Sequence, residues 1–153
     1  MTEQPILHIR QEAADKKHKI RLVLKRPGQP DIEGEAKIAF ALTPQEQKDL
    51  RWYMEDYLQT ATAEEVHVRQ IEALMKQRGV ELHNKVLDDN QNTRAIWYAV
   101  REQLADLRVE ITTGIAEAAS IPWELMRDPQ SDSAIALRVQ SFVRASRTRT
   151  SAS

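Results

Sequence analysis

Residues 107–144 read LRVEITTGIAEAASIPWELMRDPQSDSAIALRVQSFVR, and this stretch decides the fold class. Its first seven residues alternate, with Leu107, Val109 and Ile111 on one side, as a half-buried strand requires. Residues 134–144, AIALRVQSFVR, predict a second strand, with Ile135, Leu137 and Val139 aligned and Phe142 and Val143 less regular. Between them lies the turn Ile121-Pro122-Trp123-Glu124-Leu125-Met126-Arg127-Asp128-Pro129. Pro122 breaks the preceding run and opens a short helical turn. Trp123 is a large apolar anchor whose indole N–H needs a partner when buried. Glu124 has Arg127, Arg138 and Arg144 as candidate partners. The turn reads either as a corner that locks two strands or as a surface that docks another domain. The residues alone favour the corner.

Upstream, residues 6–10 alternate weakly and predict an edge strand. Residues 18–26, HKIRLVLKR, alternate well: Ile20, Leu22 and Leu24 face one side, and Lys19, Arg21, Val23 and Lys25 the other. The cluster Pro27-Gly28-Gln29-Pro30-Asp31 is a turn, after which EGEAKIAF resumes the alternation with Ala36, Ile38 and Phe40 on one face. These runs predict an antiparallel pair joined by a loop rather than by a tight two-residue turn.

Thr43-Pro44-Gln45-Glu46 is a helix start, with Thr43 as cap, Pro44 at the first helical position and Glu46 closing a capping box. The helix is expected to reach about Leu58, with Leu50, Tyr53, Met54, Tyr57 and Leu58 in one stripe that Trp52 widens. A second helix is expected from Ala63 to Leu87, burying Ile71, Leu74, Met75, Leu82 and Val86, with a bend or break at Gly79. After a polar loop at residues 88–92, Thr93 is the expected cap of a third helix to about Leu104, which buries Ile96, Trp97, Val100 and Leu104. The result is one α+β domain over residues 1–144, in the order β-β-β-α-α-α-β-β: a mixed sheet of about five strands with three main helices. Residues 145–153, ASRTRTSAS, read as a tail or linker.

Composition narrows the function. Hydrophobic residues make up 41% and charged residues 29%, and the net charge is −1, so no basic field draws in nucleic acid or anionic lipid. No run approaches the roughly 18 apolar residues of a membrane helix, and MTEQPILHIRQ does not resemble a signal peptide, so a cytoplasmic protein is expected. Cysteine is absent, which excludes disulfides and a thiol nucleophile from these residues. His8, His18, His67 and His83 show no metal-ligand spacing, and the four glycines form no phosphate loop, so neither metal nor cofactor is expected. Glu64-Glu65 and Asp88-Asp89 are sequence neighbours that point apart on a helix, and they read as solvated. Arg144, Arg147 and Arg149 lack interleaved aromatic residues and read as linker charge. Carboxylate or metal chemistry through His67 or Glu124 is the weakest reading.

The segments LRVEI, IPWELMRDP and ALRVQSFVR together resemble the leading part of CHAT-domain proteins, the bacterial caspase- and separase-like peptidases. LTPQEQKDLRWYMEDYLQ, residues 42–59, is similar to a segment that such chains carry ahead of the corner. The matching residues are Leu50, Arg51, Trp52, Tyr53, Glu55 and Tyr57, and then Pro122, Trp123, Glu124 and Leu125. The resemblance covers about residues 18–144 and implies, by analogy of fold, a degenerate caspase-like subdomain. It also implies a catalytic histidine in an HxxGH-like context and a cysteine, both downstream of the corner. Neither occurs in the 153 residues, so no catalytic residue carries over. The implied role is a non-catalytic N-terminal module that packs on the catalytic half of a cysteine peptidase, in the same or a separate chain, within a bacterial proteolytic or defence pathway. Trp52, Trp123 and the strand at 134–144 are the expected contact, and other protein subunits are further candidate partners. The alternative is a stand-alone protein-binding adaptor whose binding face lies on the helices at 63–87 and 93–104.

Overall fold

A computed structural model describes residues 4–14, 17–40, 42–52, 65–113 and 121–146. Strands β1 (Ile6–Ala14), β2 (Lys17–Arg26) and β3 (Gln29–Ile38) form an antiparallel meander. Helices α1 (Pro44–Trp52), α2 (Glu65–Leu87) and α3 (Gln91–Val100) follow. Strand β4 (Arg108–Thr113) then enters parallel to β1. After the corner come a small ribbon, β5 (Arg127–Asp128) with β6 (Ser133–Ala134), a single helical turn α4 (Ile135–Arg138), and β7 (Ser141–Ser146), parallel to β4. The main sheet is mixed, five-stranded and ordered β3-β2-β1-β4-β7. The fold is therefore α+β, as the pattern predicts.

Alternation builds the layers. Leu7, Ile9, Ile20, Leu22, Leu24, Ala36, Ile38, Val109 and Ile111 lie on one face at 0–3% exposure, in one core cluster with Leu82, Val86, Ile96 and Trp97 of the helices. The other face is charged. There Lys19 pairs with Glu35 at 3.3 Å and Arg108 with Glu110 at 2.6 Å.

Four expectations need correction. First, β1 is not an edge strand but the centre of the sheet, between β2 and β4. Its apolar pattern looks short because Gln11, in phase with Leu7 and Ile9, is polar yet fully buried. Second, the β2–β3 connection is a tight turn: Arg26 pairs with Gln29, leaving only Pro27 and Gly28 between the strands. Pro27 presets its own φ, and Gly28 takes φ +71°, which costs glycine nothing. Third, residues 134–144 are not one strand. Ile135 N–H donates to the Met126 carbonyl at 3.0 Å, and Val139 N–H donates to Ile135 at 3.1 Å, winding α4. The turn separates residues that a strand would align: Ile135 is buried and Leu137 is 87% exposed. Fourth, α3 starts earlier than expected. Asn90 is its cap, its Oδ1 accepting from the Asn92 and Thr93 N–H groups at 3.0 Å each, while Thr93 Oγ1 answers from the third helical position by accepting from Asn90 N–H. The helix ends at Val100, and Leu104 sits in a separate 3-10 turn, Leu104–Asp106.

The capping box of α1 forms as read: Thr43 Oγ1 accepts from Glu46 N–H at 3.1 Å, and Glu46 Oε1 accepts from Thr43 N–H at 2.9 Å. Glu46 also receives Arg78 of α2 at 2.9 Å, fastening α1 to α2. The stretch beyond Trp52, including the predicted end of this helix and residues 61–64, lies outside the described residues. Helix α2 runs unbroken through Gly79. Among the described residues no helix is long and apolar enough to cross a membrane.

Candidate functional site

The corner after β4 is a single 3-10 turn, Trp123–Leu125, entered by Pro122. Trp123 N–H donates to the Ile121 carbonyl at 2.8 Å, Leu125 N–H to Pro122 at 2.9 Å and Met126 N–H to Trp123 at 3.0 Å. These local bonds hold the chain in a tight bend that drives the indole inward, where Trp123 is 0% exposed. Its Nε1–H donates to Gln11 Oε1 at 3.0 Å, and Ile121 N–H shares the same oxygen at 3.4 Å. A buried amide on the central strand therefore meets the polar need of the buried indole. The Gln11 amide nitrogen lies 3.2 Å from His18 Nδ1 on β2.

Glu124 turns outward, and of its three candidate arginines it takes Arg144. The guanidinium is bidentate, with Nε to Oε2 at 2.6 Å and a terminal nitrogen to Oε1 at 2.8 Å. The same terminal nitrogen donates to the Ile121 carbonyl at 2.8 Å. Arg144 thus ties the outermost strand β7 to the corner. Arg127 instead bonds Asp132 at 2.9 Å, and Arg138 bonds Ser131 at 2.9 Å.

Leu125 belongs to a second, smaller cluster with Ile71 and Met75 of α2, against which Leu50, Trp52 and Leu74 pack. Trp52 and Leu125, 73 residues apart in the sequence, therefore meet in one apolar patch across α2. Gly79 makes room for the corner at its other edge, where a Cβ would stand 2.0 Å from the Leu125 carbonyl oxygen. Pro122, Trp123, Glu124 and Leu125 thus form one unit with Trp52 nearby, whereas Tyr53, Glu55 and Tyr57 lie outside the described residues. Pattern reading missed Gln11, His18 and Gly79. Gln11 gave one signal: a polar residue in phase with Leu7 and Ile9.

At the other end of β1, Gln4, Arg26, Gln103, Asp106 and Gln140 line an open polar cleft of about 720 Å³. Gln4 bridges it, donating to the Asp106 carbonyl at 3.3 Å and to Gln140 Oε1 at 2.9 Å.

His83 is the other buried polar ring, 3% exposed and edge-on to Trp97 at 4.7 Å between centroids. Its Nε2 has no hydrogen-bond partner among the described residues. Burial pushes its pKa below the usual histidine value, against smaller opposing effects of Asn84, Asp128 and Asp88. The folded state therefore prefers the neutral ring, while the unfolded chain takes up a proton near pH 6.5. Stability is full above that pH and falls as the pH drops below it. The urea midpoint is expected to fall between about pH 7.5 and about pH 5.5, and less so in His83→Phe. An equal fall in that variant removes His83 as the cause.

Among the described residues, no three His, Asp or Glu side chains are grouped to hold a metal ion. No family model matches the chain, and no curated protein matches its sequence.

Proposed function

We propose that this chain is a non-catalytic, N-terminal structural and regulatory module of a bacterial, cytoplasmic CHAT-type cysteine peptidase. Its role is to pack on the catalytic half and hold it in position. The observation that carries this reading is the outer edge of β7. It is the last strand of the main sheet, it runs parallel to β4, and no other described strand pairs with its outer side. An unpaired strand edge offers its backbone N–H and C=O groups to an incoming strand. Arg144 links that edge to the corner, so a partner strand docked there would be held in register with the core.

Two further features support the reading. Residues of both motif segments that resemble the family, Trp52 and Leu125, share one patch. The adaptor alternative needs an apolar face on the helices, yet Ile71, Met75, Leu82 and Val86 of α2 and Ile96, Trp97 and Val100 of α3 are all buried in the core. Trp123 is equally buried, so the docking role falls to β7 and not to the indole.

Light scattering on the chain tests this, alone and mixed with a separately produced polypeptide bearing the HxxGH-like histidine and the catalytic cysteine. Self-association alone and a one-to-one complex in the mixture are expected. A monodisperse monomer that ignores the added polypeptide contradicts the reading.

A further inference from the structure

We propose that His18 and Gln11 form a proton-operated latch on the Pro122–Trp123 corner: with His18 neutral the corner is held on β1, and protonation of His18 releases it. The inference goes beyond the docking role and does not depend on it.

Which atoms can donate decides how the relay is oriented. The Trp123 indole and the Ile121 backbone each offer an N–H and no lone pair. Both face the same atom of Gln11, at 3.0 and 3.4 Å, so that atom is the amide oxygen. The amide NH2 therefore faces His18 Nδ1 at 3.2 Å and donates to it. That contact requires a lone pair on Nδ1, which places the ring proton of neutral His18 on Nε2. A second proton, on Nδ1, sets a donor against the NH2 donor. Rotating the amide by half a turn relieves His18 but sets the NH2 against the indole and Ile121 N–H groups. Gln11 is 0% exposed while His18 is half-buried, so water can reach the ring but cannot stand in for the Gln11 oxygen. One end of the relay must open whenever the ring is charged.

The surroundings do not neutralise that charge. On β2 itself Lys17 and Lys19 are the sequence neighbours of His18 and by strand alternation point to the opposite face, as does Glu12 of β1, the register partner of Lys19. On β3 the register partner of His18 is Ile38, and Lys37 is next to it. From the helical layer Lys85 of α2 bonds the Ala39 carbonyl at 2.5 Å. The corner's carboxylate, Glu124, is held by Arg144. No described carboxylate pairs with His18, and burial lowers its proton affinity. The latch therefore holds near neutral pH and opens on acidification. Ile121 sits at the junction: its N–H is held by Gln11 and its carbonyl by Arg144 of β7.

NMR of the full chain tests this by following the His18 ring and the Trp123 indole N–H from about pH 8 to about pH 5. Trp123→Phe assigns the indole signal. Indole protection from hydrogen exchange, taken relative to the intrinsic rate at each pH, is expected to fall at least about tenfold in step with the His18 titration. In His18→Asn, whose Oδ1 accepts as Nδ1 does but does not titrate, the indole should stay protected throughout. In Gln11→Glu the carboxylate accepts from both sides, so His18 should titrate at higher pH without freeing the indole. His83→Phe should keep the transition. An indole unmoved while His18 titrates overturns the latch, as does an unchanged acid transition in His18→Asn. The wild-type titration alone decides the matter if a variant fails to fold.

Discussion

Replacing Gly79 with alanine is expected to destabilise the fold by about 3 kcal/mol or more, read as a loss of urea midpoint. Helix propensity alone predicts the opposite, since alanine in a helix interior is favoured over glycine by about 1 kcal/mol. Packing decides the sign. The new methyl carbon would lie 2.0 Å from the Leu125 carbonyl oxygen and 3.0 Å from Arg127 Cβ. The first of these atoms is backbone, held in place by the 3-10 turn, so neither side can yield without moving the helix or the corner. A gain in stability would show that α2 does not lie against the corner.

Truncating Trp123 to alanine should cost about 4 kcal/mol, because the indole is fully buried in the main cluster. Trp123→Phe keeps most of the volume but removes the N–H, leaving Gln11 Oε1 with one donor fewer; a loss of about 2 kcal/mol is expected. Chemical denaturation of the isolated chain measures both. The pair also separates the two readings of the corner. A docking tryptophan would leave the stability of the isolated chain nearly untouched when removed, whereas a structural one dominates it.

The strands were legible where every second residue is apolar on one face, as at Ile20, Leu22 and Leu24 and at Leu107, Val109 and Ile111. Reading failed where tertiary context overrides pattern. Gln11 looked like the end of β1 because its partners, Trp123 and Ile121, lie more than a hundred residues away. Ile135, Leu137 and Val139 looked like a strand face because alternation over five residues cannot exclude a helical turn, and the bond that decides it comes from Met126. Gly79 read as a weak point in a helix, since the group that requires it is a backbone oxygen on another element. The corner itself was legible as a packing device from Pro122 and Trp123, and Arg144 was among the partners foreseen for Glu124. What remained hidden was the acceptor for the indole.

The docking role of β7 is tested most directly by hydrogen exchange at its backbone amides. The chain is measured alone and in the presence of a polypeptide carrying the catalytic histidine and cysteine. The proposed function predicts that amides within Ser141–Ser146 that exchange quickly in the isolated chain become protected on mixing, while those of the opposite edge strand, Gln29–Ile38, do not change. Exchange at β7 that is the same with and without that polypeptide would contradict it.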